Sequence, residues 1–284
     1  MFFSLFGVLL AGDVSGGPSP CTDWGLPVAG AAVQAARLNE ISGLAPSRKH
    51  PGIAWVIEDS GNRPVVYALE LATGATVAKV HLRGAVNVDW EEVRLGPCEP
   101  GSDRNCIWVA ETGDNARIRS DVALLRLEEP DELSARSCLK AERFPVQYPD
   151  GPQDVEALYF GEDRLPRLVS KLRDGAAVVY RSTGLENGTL ERELSWMVTL
   201  DGQLRPPAEG PLPYRVTAAD AVAGQVLLRT YEATFLVAGD RQCTISSPVE
   251  SQGEALALDP RDGALWWVSE GEHPVLYRAE RREP

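Results

Sequence analysis

Apolar residues along this chain fall into short runs of strand length, bounded by Gly, Pro, Asn or Asp, with no helical periodicity. The most apolar runs are "IAWVIEDSGN", "CIWVAETGDN", "RLVSKLRDG", "QVLLRTYEA" and "LWWVSEGEH". A shorter strand and a turn precede each: "NEISGLAPS" from Asn39, "WEEVRLGP" from Trp90, "VEALYFGE" from Val155, "TAADAVAG" from Thr217 and "GEALALDP" from Gly253. A third strand follows each: "PVVYALEL", "VALLRLEE", "AVVYRST", "TFLVAGD" or "PVLYRAE". The first four units have room for a fourth strand, such as "TVAKVHLRG" or "ERFPVQYP", whereas the last ends at its third.

A recurring unit of antiparallel strands predicts an all-β fold, a single β-propeller of five blades. Residues 26 to 38, "LPVAGAAVQAARL", have no partner of their own and are predicted to pair near Val275 to Arg278. They would supply the missing outer strand of the last blade and seal the ring. A sixth blade between residues 181 and 215 is the alternative, because that stretch is longer than a connection needs. Residues 21 to 284 read as this one domain, and residues 1 to 20 as a signal peptide or disordered leader.

Every unit is headed by an acidic residue: Glu40, Glu91 with Asp89 before it, Glu156, Asp220 (displaced from the exact register) and Glu254. In a blade the start of the first strand lies beside the end of the second, on one face of the disc. The pattern therefore places Glu40 beside Asp59, Glu91 beside Glu111 and Asp114, Glu156 beside Lys171, Asp220 near Arg229 and Glu254 near Glu270. So many carboxylates around Lys171 and Arg229 require either raised pKa values or a hard divalent cation, Ca²⁺ or Mg²⁺. The expected metal ligands are Glu40, Asp89, Glu91, Glu156, Asp220 and Glu254; the expected ligand-binding residues are Asp59, Glu111, Asp114, Asn115, Lys171, Arg229 and Glu270. "EDSGN" and "ETGDN" also read as Asx-type turns, a structural role that can coexist with ligand capture.

A net charge of −13 works against a nucleic-acid or anionic-membrane partner and favours cationic ones. The run from Phe2 to Ala11 resembles a signal-peptide core without a preceding Lys or Arg, and predicts a secreted or periplasmic protein. It is too short to span a bilayer. Cys98 and Cys106 bracket a turn-rich loop and are predicted to bond; strand directions pair Cys21 with Cys243 and leave Cys138 free. There is no CxxC pair, no GxSxG elbow and no phosphate-binding glycine loop. Of the three histidines only His273 falls at the acidic rim.

The series "NEISGL", "DWEE", "ETGDN", "DVEAL", "LLRTY" and "GEAL" resembles a group of exported bacterial propeller proteins described as phytase-like or esterase-like. More loosely it is similar to the gluconolactonase superfamily, in which acidic and Asn side chains hold one divalent cation in the channel. The resemblance spans roughly residues 38 to 278. Two functions follow as expectations. The first is a binding module for a small polar or cationic ligand or another protein. The alternative is a cation-dependent hydrolase of an ester, lactone or phosphoester, with Lys171 or Arg229 steadying developing negative charge.

Overall fold

The computed structural model describes residues 20–171, 176–184, 188–197, 215–238 and 241–282. Strand β1 (Val28–Ala32) comes first in the chain and last in the ring. The first blade is β2 (Ile41–Pro46), β3 (Ile53–Glu58), β4 (Val65–Glu70) and β5 (Thr76–Arg83). The second is β6 (Trp90–Pro97), β7 (Asn105–Glu111) and β8 (Ala123–Glu128); the chain then makes β9 (Ser137–Lys140) before β10 (Glu142–Pro145) returns as the outer strand. The third is β11 (Val155–Phe160), β12 (Pro166–Ser170), β13 (Ala176–Ser182) and β14 (Leu190–Met197). The fourth is β15 (Val216–Val222), β16 (Gln225–Thr230), β17 (Thr234–Ala238) and β18 (Arg241–Ile245). The fifth is β19 (Gly253–Leu258), β20 (Leu265–Ser269) and β21 (Val275–Ala279), completed by β1.

The inner strands β2, β6, β11, β15 and β19 touch in that order, and β19 returns to β2, so the five blades make a closed ring. A sixth blade is not seen among the described residues: 190–197 form the outer strand of the third blade, and residues 198–214 lie outside the description. An apolar layer fills each gap between blades. Strand β3 shows why the second strands read as continuous apolar runs. Trp55 and Ile57 pack toward the second blade while Ala54 and Val56 pack toward the fifth, so both faces are buried.

Closure is as the sequence predicts. Val28 pairs with Arg278, Ala29 with Tyr277 and Ala32 with Val275, and a bridge from Trp24 to Arg281 extends the seam. Disulfides join Cys98 to Cys106 across the β6–β7 hairpin and Cys21 to Cys243 on β18, leaving Cys138 exposed and free. The strand pattern did not indicate β9. It leaves the second blade and runs parallel to β5 as a fifth strand of the first, with Val80 opposite Ser137 and Leu82 opposite Leu139. Among the described residues no helix is long and apolar enough to cross a membrane.

Candidate functional site

All five inner strands carry an irregularity at the same place, one residue after they begin, where a residue is skipped in the ladder with the second strand. The skipped residues are Ser42, Glu91, Glu156, Thr217 and Glu254. A bulge frees one side chain from the alternation of the sheet and re-aims it. The residues that directly follow the second strands are Asp59, Thr112, Lys171, Tyr231 and Glu270. These two sets, with Asp89 just ahead of β6, wall the mouth of the central channel.

This register corrects two of the sequence assignments. Glu40 is not the counterpart of Glu91. It precedes β2 as Asp89 precedes β6, is exposed, and accepts a 2.6 Å hydrogen bond from Asn62 Nδ2. Asp220 does not reach the mouth. It lies three positions beyond the bulge at Thr217, accepts from the N–H groups of Ala221 (2.8 Å) and Leu258 (2.9 Å), and lines a cavity of about 70 Å³ with Arg48 and Arg94 toward the far end of the channel. In both units a hydroxyl residue occupies the bulge. Ser42 Oγ donates to Trp90 O at 2.8 Å and Thr217 Oγ1 to Gly253 O at 2.9 Å, each reaching the strand of the next blade.

The expected ligand-binding residues also divide. Glu111 is a clamp: its carboxylate accepts from Val88 N and Asp89 N, both at 3.1 Å, and from Arg119 Nη2 at 2.7 Å. Asp114 closes a loop by accepting from Arg119 N at 2.7 Å, and Asn115 is exposed in the turn. Arg229 is buried and committed, ion-paired with Glu250 and donating to Ala255 O at 2.6 Å. His273 Nδ1 lies 2.8 Å from Val33 O, a loop contact.

What remains at the mouth is an acidic cup. Asp59, Asp89 and Glu91 each offer an oxygen within 4.8 Å of the others. The Asp59 carboxyl faces that of Asp89, and the Glu91 carboxyl that of Glu156, so that each pair can share a proton. Glu156 holds Lys171 Nζ at 2.8 Å, and the ammonium sits 5.0 Å from the centre of the Tyr231 ring. Gln252 Nε2 bridges Glu254 (3.0 Å) and Glu270 (2.8 Å). Gly113 backs the cluster: a Cβ there would lie 2.0 Å from Glu91 Oε1 and 2.5 Å from Asp89 Oδ2, so bare backbone is required for both carboxylates to fit.

Below the cup the channel is blocked by a pair that the sequence reading passed over. Glu92 and Arg94, both buried, form a 2.7 Å ion pair. Arg94 also donates to Leu44 O (2.6 Å), Ala219 O (2.8 Å) and Leu256 O (2.5 Å), carbonyls on the inner strands of the first, fourth and fifth blades. Gly43 makes room, since a Cβ there would come within 2.9 Å of Glu92 Oε1. The run "DWEEVR" therefore serves two layers: Asp89 and Glu91 wall the cup, and Glu92 with Arg94 form its floor.

Burial raises the acidic pKa values throughout the cup. Asp89 is pushed up to about 7 by burial and then by Asp59 and Glu156. Glu270 reaches about 7 by burial, Asp59 and Glu40; Glu254 reaches about 8 by burial, with Lys171 pulling the other way. Glu91 is raised by burial, then by Glu156, Asp59 and Asp89. Burial opposes the charge of Lys171, yet Glu156 and Glu254 hold its pKa above the usual value. Raised acids bind protons in the fold at a pH where the unfolded chain has released them, so stability is full at about pH 4 and falls toward about pH 8. Asp163, held low by Arg167, acts below this window. In chelator, the thermal midpoint is expected to be several degrees lower at about pH 8 than at about pH 5.5. A midpoint that rises across this range would contradict the arrangement.

No protein-family pattern matches the chain, and no curated protein matches it in sequence. Its fold is similar to that of the aldose sugar dehydrogenase from Streptomyces coelicolor, at 13% identity over 89% of this chain and 97% of that one, with a TM-score of 0.50. A provisionally assigned gluconolactonase follows at 12% identity, 91% and 94% coverage and a TM-score of 0.47. Glutaminyl cyclase from Myxococcus xanthus matches at 11% identity, 91% and 98% coverage and 0.49. At such identities the likeness is one of fold, and function has to be argued from the site.

Proposed function

We propose that this propeller is an exported binding module whose mouth captures a hard divalent cation, Ca²⁺ or Mg²⁺, on Asp59, Asp89 and Glu91. The observation that carries the reading is the convergence of those three oxygens within 4.8 Å against the bare backbone of Gly113. Oxygen donors of this kind suit hard cations. Charge balance supports it too. Asp59, Asp89, Glu91, Glu156, Glu254 and Glu270 face the single ammonium of Lys171 among the described residues at the mouth, and Lys171 is engaged by Glu156. A bound ion would compensate that charge and present a Lewis-acidic face to an oxygen of the ligand. The disulfides support an oxidising compartment.

Calorimetric titration of the chelator-treated chain with Ca²⁺ and with Mg²⁺ tests the reading. One of the two is expected to bind, and Asp89→Asn or Glu91→Gln to weaken it at least about tenfold, a difference of about 1.4 kcal/mol. Heat-silent titrations with no ion-induced rise in thermal midpoint would refute it. An ester and phosphoester panel separates binding from hydrolysis: turnover that chelator abolishes and Glu91→Gln removes would establish the enzyme instead.

A further inference from the structure

We infer that the face around the cup docks a protein segment in which a lysine or arginine is flanked by apolar residues. The evidence is a reversal of the usual pattern of burial in three loops on that face. Val86 and Val88 are 68% and 46% exposed, while Asn87 between them is buried, donating to Glu58 O and Asp59 O (both 2.8 Å) and accepting from Trp90 N (3.1 Å). Ile118 is 77% exposed, while its neighbour Arg119 turns inward to Glu111 and to Gly113 O (2.7 Å). Val249 is 97% exposed, while Glu250 beside it is buried against Arg229.

Large apolar side chains in solvent are unremarkable singly, but here each sits beside a polar side chain that turns inward, and each such neighbour anchors a wall of the cup. Val88 precedes Asp89, Arg119 grips the carbonyl of Gly113, and Arg229 packs on Gly253, next to Glu254. The anchors fix the loops, so the apolar residues are presented on rigid supports, which lowers the entropy of docking. Charge complementarity names the partner: an apolar rim around an acidic cup accepts a cationic side chain in the centre and apolar neighbours at the edge. Glu254 and Glu270, joined through Gln252 and not among the proposed ion ligands, are the partners for that cation.

This inference rests on reading the mouth as a site for cations, and its test is kept apart from the ion. The full chain in chelator is titrated with the capped peptide Gly-Leu-Lys-Leu-Gly, its lysine-acetylated form, and Gly-Ser-Lys-Ser-Gly. The first is expected to bind at least about tenfold more tightly than either control. Val88→Ser with Ile118→Ser is expected to lower its affinity at least about tenfold while leaving the calorimetric ion titration unchanged. Equal binding of the three peptides, no binding, or an affinity indifferent to the double substitution would overturn the inference. Peptide binding without ion binding would sink only the ion site, and the converse only the docking face.

Discussion

Replacing Arg94 with Met is expected to destabilise the fold by about 3–5 kcal/mol, because it leaves the Glu92 carboxylate buried with its charge partner gone. Glu92 has no exposure to solvent, and Val93 N at 3.0 Å would be its main remaining donor. The same substitution frees carbonyls on three other blades, so the loss is not confined to the second blade. Removing both charges in Glu92→Leu/Arg94→Met is expected to recover most of the loss, since apolar groups of similar volume often replace a buried ion pair without penalty. Urea denaturation of the two single variants and the double one closes a thermodynamic cycle. A single Arg94→Met variant within about 1 kcal/mol of the native chain would show that the floor carries little of the fold.

The second large effect is expected from Cys21→Ser/Cys243→Ser. This bond spans 222 residues and fastens the segment ahead of the closing strand to the fourth blade, so opening it releases a long loop in the unfolded chain. A loss of about 2–5 kcal/mol follows, and roughly half as much from Cys98→Ser/Cys106→Ser, where only 8 residues separate the partners. Thermal unfolding without reductant checks both. An equal drop for the two pairs would mean that chain entropy is not what the long bond restrains.

The blade count, the closing strand and both disulfides were legible because each rests on strand length, direction and a local apolar pattern. The cup was legible only in part. Glu91, Glu156 and Glu254 share a bulge position, but the acidic residues nearest the corresponding places in the other units, Glu40 and Asp220, lie two before and three after it. In a strand one displaced residue turns a side chain to the other face, so proximity in sequence to a repeat head was a poor guide. The hydroxyls of Ser42 and Thr217 were the true counterparts, and nothing in a single sequence distinguishes a bulge hydroxyl from any other. Arg229 looked free because its partner, Glu250, sits in the connection before the next blade. Arg94 was missed because its acceptors are backbone carbonyls, which carry no signature of residue type. β9 escaped for a related reason: "SCLK" is short and polar, and its ladder partner belongs to a different blade.

The seam between β1 and β21 joins the first and the last of the described strands, and this sets the order in which ladders can form. β1 precedes every other strand in sequence, yet it has no ladder until Val275 to Arg278 are in place. Four blades are built from neighbouring segments, while the fifth draws its strands from either side of them. The strand left waiting is a short run of small residues, "VAGAA", with little to attract a wrong partner, whereas the more apolar β21 pairs with β20 in its own hairpin. Giving the unpaired role to the weak half of the seam limits the edge that an open ring offers to another molecule.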